Sequence, residues 1–287
     1  MTLAEDARVI FVGGTPFSGA EAAVSLLGRL DGVAAVPIAA RFHSDPSGIP
    51  GLLAGRLGLA DFVAELRAGP VARAVPRPAL EAAIAELCDS YDADPLEACR
   101  RLFRGLMDRI TGGRARLALV ESSPGNLIEA QALARLEPHA SFVHVVRDGR
   151  DVAAAAGHAR VAPDRLMAGL IWWGLRLRQA ERGIRGEEDG APYAIPEDQL
   201  AITVLDELAS EEGEAAYLKL LDRLSLTGGP SGAPLDPEAI GRGRWRRYAR
   251  GPGAWRLSRR YGRILRELRD EGNHAAPPLL AALERLG

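Results

Sequence analysis

A chain of 287 residues, 47% apolar and 26% charged, is long enough to bury a sizeable core as one α/β domain. Its 36 Lys and Arg against 38 Asp and Glu leave a net charge of −2, the balance of a soluble globular protein, which argues against a nucleic-acid footprint or a disordered tail. The start, MTLAEDARVIFV, has neither a basic region nor a long apolar one, and no stretch reaches the roughly 18 uninterrupted apolar residues of a membrane span. A cytoplasmic location, no membrane partner and no nucleic acid are therefore expected.

In chain order, five apolar or β-branched runs read as strands: RVIFVGG at 8–14, the weaker GVAAVP at 32–37, ARLALVE at 115–121, SFVHVVR at 141–147 and LAITVL at 200–205. Each is too short and too uniformly apolar to be half exposed, which fits central strands of a parallel sheet covered on both faces. Helical periodicity places helices at 18–30, 52–68, 79–88, 95–111, 125–136, 149–159, 167–184, 211–224, 254–272 and 277–286, with breaks at Pro70, Pro76 and Pro78. The expected fold class is therefore an α/β three-layer sandwich around a parallel sheet of about five strands, with right-handed crossovers. One domain covers 1–287, with a helical insertion at about 52–111 and a long Gly/Pro loop at about 226–252 that is a candidate lid or ligand loop.

Cys88 and Cys99 lie in helical patterns with no CxxC or His neighbour, so buried reduced thiols are expected, without a disulfide or a metal site. Lys219 is the only lysine. Any phosphate bound here must be held by arginine, backbone or hydroxyl groups.

Two turns carry chemistry. The first, Gly13-Gly14-Thr15-Pro16-Phe17-Ser18-Gly19, follows a strand and opens a helix, the layout in which turn amides and the positive end of a helix receive an anion. Plain strand-to-helix turn chemistry reads equally well, and a Walker A loop is excluded because no lysine follows the glycines. In the second, VHVVRDGRDVAAAAGHA at 143–159, Arg147 ends a strand and Arg150 and Asp151 stand at a helix start. That is where open α/β sheets bind ligands, although an Arg147–Asp151 ion pair that fixes the turn is the alternative.

The segment VVRDGRDVAAA resembles the 3′-phosphate-binding segment of the PAPS-dependent sulfotransferases, and FVGGTPFSGAEAAVSLLGRL is similar to their 5′-phosphosulfate loop. VPIAARFHSDPSGIPGLLAGRL, LVESSPGN and GRGRWRRYAR resemble three further landmarks, in the family's order and across most of the chain. The resemblance implies a P-loop-like fold and transfer of a sulfuryl group from PAPS to a hydroxyl or amine of a small-molecule acceptor, leaving PAP. It places Gly14, Thr15, Pro16, Phe17, Ser18, Gly19, Ala20 and Glu21 at the phosphosulfate. Arg147, Arg150, Ala155, Arg242, Arg244, Trp245 and Arg246 fall at the rest of the nucleotide, with His43 or Glu121 as the base. For His43 a structural Arg-Phe-His turn, and for Glu121 a strand-end ion pair, remain open.

Several positions depart from the family pattern. Phe17 stands where a cation is usual, Ala20 and Glu21 where hydroxyl residues are, Ala155 in place of a serine, and Ala39 and Ala40 where related bacterial members carry a glutamate. Pro16 removes one backbone N–H from the turn. Glu21 suits the helix dipole but opposes a bound phosphosulfate by roughly 3 kcal/mol at about 5 Å. Two classes follow: a working transferase, or a non-catalytic relative that binds PAP, another ligand or a protein partner, with another P-loop nucleotide enzyme as the remote case. Trp172 and Trp173 read as core before acceptor pocket. RWRRYARGPGAWRLSRRYGR at 244–263 alternates Arg with aromatics as RNA binders do, but a basic loop and an amphipathic helix account for it. A homo-oligomer or protein partner stays possible at this level.

Overall fold

Strand and helix alternate from the start because short, continuously apolar runs give way to runs of period 3.6. In the computed structural model, which describes residues 7–187, 194–227 and 235–286, β1 is Arg8–Gly13, α1 is Ala20–Leu27 and β2 is Val33–Ala35. The insertion holds α2 (Ile49–Leu53), α3 (Leu59–Ala68), α4 (Pro70–Ala74), α5 (Arg77–Tyr91) and α6 (Pro95–Thr111). The single helix expected over 52–68 is two, parted where Gly55 turns to φ 68°. Nor does Pro70 simply break the chain: prolines stand in the first turn of α2, α4, α5 and α6, where a missing N–H costs no hydrogen bond.

The remaining elements are β3 (Ala118–Ser122), α7 (Ala130–Leu136), β4 (Ser141–Val146), α8 (Gly149–His158), α9 (Leu166–Arg185), β5 (Leu200–Val204), α10 (Leu205–Leu208) and α11 (Gly213–Arg223). They are followed by α12 (Pro237–Ile240), α13 (Gly251–Asp270) and α14 (Ala276–Leu286). Within the long loop, α12 and a 3₁₀ turn at Arg244–Arg247 replace irregular chain, and residues 228–234 lie outside the described residues.

All five strands are parallel, in the order β2-β3-β1-β4-β5. The chain leaves β1 in one direction, to β2, and crosses from β3 to β4 in the other, so β1 stands at the switch point where open sheets form their crevice. Val9 and Phe11 pack with α2–α7 on one face, while Ile10 and Val12 pack with α1 and α11 on the other. A third cluster joins α8, α9, α13 and α14 beside β4 and β5. Trp173 belongs to it, fully buried with its ring 5.5 Å from that of Tyr261, so it is core; Trp172 is half-buried against the same cluster.

Cys99 is buried, its thiol pushed up to about 12 by burial, but Cys88 is exposed. The buried positions of α5 are Leu80, Ala83, Ile84 and Leu87, which leave residue 88 on the outer side. Among the described residues no helix is long and apolar enough to cross a membrane.

Candidate active site

The turn between β1 and α1 is shaped by close approach. A Cβ on Gly14 would lie 2.3 Å from Ser18 Oγ and 2.4 Å from the carbonyl of Val145, so only glycine lets the turn fold over the end of β4. Ser18 N–H donates to Thr15 O at 2.9 Å, and Gly19 caps α1 at φ 91°. Phe17 also takes the left-handed conformation, at φ 68°, and is 39% exposed. Ser18 Oγ is buried and has no hydrogen-bond partner. No side chain caps α1, whose first-turn amides lack intrahelical acceptors.

This turn forms one wall of a cleft of about 560 Å³ at the carboxyl ends of the strands. Residues 13–22 line it together with Ala39, Ser122, Ser123, Pro124, Arg147, Ala155 and Arg244, and Val161, Leu205, Ala239 and Ile240 close it. The structure thus brings the whole predicted loop, Gly14 to Glu21, together with Arg147, Ala155 and Arg244.

Arg147 is held tightly. Its Nη2 donates to the carbonyls of Ile240 at 2.6 Å and Gly241 at 3.0 Å, and its Nη1 to Phe17 O at 3.3 Å, while Nε has no partner. The Arg147–Asp151 pair is long, 3.9 Å. Asp151 instead accepts from the backbone N–H of Gly243 at 2.7 Å and of Trp245 at 2.9 Å, pinning the basic segment to the start of α8. Burial raises the Asp151 carboxyl above its ordinary value, partly offset by those two amides.

Arg150, Arg242, Trp245 and Arg246 lie apart from the cleft, around a second hollow of about 40 Å³. The Arg150 guanidinium sits between the rings of Trp245 (4.5 Å) and Tyr261 (4.9 Å), bonds Asp148 at 2.5 Å and donates to Ser258 Oγ at 2.9 Å. Both faces of that guanidinium are thus covered by aromatic rings. Asp206 borders the same hollow, with one oxygen accepting from Asp148 N–H and the other without a partner; burial raises its carboxyl.

His43 and Glu121 come together, fully buried and lining neither hollow. His43 Nε2 lies 2.9 Å from Glu121 Oε2 and 3.2 Å from Asn126 Oδ1, and Nδ1 has no partner, so the proton belongs on Nε2. The ring is enclosed by Phe11, Phe42 and Phe103. Glu121 also accepts from Asn126 Nδ2 at 2.9 Å and Ser123 Oγ at 2.6 Å, and although burial opposes its charge, His43 and these donors hold its pKa below the ordinary value.

Sequence reasoning missed Ser123 and Asn126. Ser123 reaches the cleft, accepts from Arg41 N–H at 3.0 Å and donates to Glu121, so it joins the buried carboxylate to the open space. The signal was a hydroxyl two residues after a strand-end glutamate, in LVESSPGN. Among the described residues no group of three or more His, Cys, Asp or Glu side chains is placed to hold a metal ion.

No family model and no curated protein matches the chain. Solved structures do. The sulfotransferase domain of the olefin synthase of Synechococcus PCC 7002 is 16% identical over 83% of this chain and 80% of that one, with a TM-score of 0.47. The sulfotransferase domain from the curacin biosynthetic pathway is 15% identical over 80% and 77%, with a TM-score of 0.46. Sulfotransferase STF9 from Mycobacterium avium is 15% identical over 93% and 77%, at 0.46. At such identities the likeness assigns no residue a role.

Proposed function

We propose that the chain is a PAPS-dependent sulfotransferase-like protein that binds the nucleotide in the 560 Å³ cleft and transfers the sulfuryl group to a hydroxyl of a small-molecule acceptor. The observation that carries this reading is Ser18 Oγ, buried without a partner in a turn that also offers first-turn amides, on a cleft shared with Arg147 and Arg244. An unpaired buried hydroxyl costs about 1–3 kcal/mol, which an anionic ligand accepting its proton would recover. Ser18 and the turn amides would hold the phosphosulfate end, and Arg147 and Arg244 the nucleotide end. When bound, PAPS supplies an activated sulfuryl group on a leaving phosphate.

Ser123 and Glu121 take the proton. Transfer of that sulfuryl group to an acceptor hydroxyl, with the phosphate as leaving group, would make the acceptor proton strongly acidic, and Ser123 and Glu121 are placed to receive it. It passes to Ser123 Oγ while the Ser123 proton passes across 2.6 Å to Glu121 Oε1. A carboxylate with a low pKa suffices, because the proton is lost from an oxygen already bonded to sulfur. His43 and Asn126 fix Glu121 from behind.

A second reading, nucleotide binding without transfer, is favoured by the reacting end of the turn, where Pro16 lacks an N–H, Phe17 offers no cation and Glu21 adds a carboxylate beside the cleft. Calorimetric titration with PAP and PAPS, followed by assay of PAP release with hydroxyl acceptors, separates the two. The transferase reading expects both to bind and PAP to be released, with Ser123→Ala lowering kcat about 10²-fold or more at unchanged KM. Binding of PAP and PAPS alike with no PAP release supports the second reading. Failure of both nucleotides to bind overturns both.

A further inference from the structure

We propose that the outer face of α13, with the adjoining edge of α9, docks on an anionic phospholipid membrane surface. From Arg242 to Arg266 the chain holds ten arginines and no Asp or Glu, in a protein whose net charge is −2. Charge is thus segregated onto one segment. The apolar side of α13 is already spent on the protein, with Leu257, Tyr261, Ile264, Leu265 and Leu268 buried. What faces outward is Arg256, Arg259, Arg263 and Arg266, and among the described residues none of these is ion-paired.

Large apolar side chains stand exposed in the same region. Trp255 is 61% and Tyr248 56% exposed, with the Arg259 guanidinium 5.3 Å from the Trp255 ring. Helices α9 and α13 lie side by side and parallel: Trp173 meets Tyr261, a Cβ on Gly174 would touch Ile264, and Arg178 pairs with Glu271 at 2.7 Å. By helical period, the exposed Met167 and Ile171 on α9 therefore flank α13 at the level of Arg256 and Arg260. Amphipathic aromatics, aliphatic tips and a lysine-free arginine row on one surface are what a headgroup boundary accommodates: phosphates pair with guanidinium groups, and Trp, Tyr and Ile enter the first few ångströms of the acyl region. The aliphatic members favour lipid over RNA, whose bases would stack on the aromatics but leave Met167 and Ile171 in water. A face that lies on a membrane needs no spanning segment, so the composition that excludes a span leaves this surface open.

The test is co-sedimentation of the full chain with vesicles of phosphatidylcholine alone or mixed with phosphatidylglycerol. Binding is expected to the anionic vesicles only, falling as salt is raised. The triple variant Arg256→Glu, Arg259→Glu, Arg263→Glu should bind on the order of a hundredfold more weakly or worse. Trp255→Ser with Ile171→Ser should weaken binding with every charge intact, and circular dichroism of these surface variants should match the parent. No binding to anionic vesicles at low salt, equal binding to neutral ones, or indifference to either set of substitutions overturns the proposal. So does retention on single-stranded RNA with vesicles left unbound, or a dimer that Ile171→Ser dissociates while vesicles stay free.

Discussion

At the scale of single residues the cleft is divided. Its strand-end wall provides hydroxyls, amides and two arginines, while Phe17 and Glu21 present a ring and a carboxylate where a transferring anion would gather charge. Because Phe17 already sits at φ 68°, replacing it with another non-glycine residue adds little backbone strain. Phe17→Arg combined with Glu21→Thr is expected to tighten PAPS binding at least tenfold, about 1.4 kcal/mol, in calorimetry; unchanged affinity would place the sulfuryl end elsewhere. Gly14→Ala is expected to destabilise the chain by about 1–3 kcal/mol in denaturant melts and to abolish nucleotide binding, since its methyl must displace Ser18 or the Val145 carbonyl. These glycines and Ser18 were visible in the sequence as turn chemistry. That Nη1 and Nη2 of Arg147 bond the carbonyls of Phe17, Ile240 and Gly241 while Nε stays unpartnered was not, because those partners lie about 130 and 93 residues away.

Among the elements, β4 carries a cost that the cleft does not explain. His144, in register between Gly13 of β1 and Ile202 of β5, is fully buried with neither ring nitrogen partnered. Burial, and secondarily His274, lowers its pKa from 6.5 to about 4. Between those values the unfolded chain binds a proton that the folded chain refuses, so stability falls as pH drops from 6.5 towards 4, by about 3 kcal/mol in total. His144→Leu is expected to remove that slope from urea titrations at successive pH values; a slope that persists in the variant would assign it to another group. A strand apolar on both sides of His144 marks it as covered whichever face it takes, but no local pattern tells that the space around it lacks a hydrogen-bond partner. The helical insertion behaves the same way: its periodicity is plain, whereas the exposure of Cys88 depends on which side of α5 packs on α6.

For the molecule as a whole, two covered sheet faces and a third cluster beside β4 and β5 leave an open cleft at the switch point, lined largely by the turns that follow the strands. A ligand bound there stabilises the entire fold by mass action. PAP at a hundred times its Kd is expected to raise unfolding free energy by about 2.7 kcal/mol, read as a shift in thermal midpoint that Arg147→Ala loses. A midpoint insensitive to PAP would count against the nucleotide cleft.

Five apolar runs, glycine turns at strand ends and 3.6-residue periodicity determined the parallel α/β architecture by themselves, because strand, turn and helix preferences act over a few residues. They also marked a glycine turn at residues 13–19 and a basic strand end at Arg147. Tertiary structure alone decided which of these groups share a space. It seals His43 and Glu121 from solvent and leaves Ser123 as their contact with the cleft, and it diverts Arg150 and Trp245 into a packed stack. The reason is that burial and hydrogen-bond partnership depend on residues brought together from opposite ends of the chain, and a polar side chain reveals its work only when its partners, or their absence, are in place.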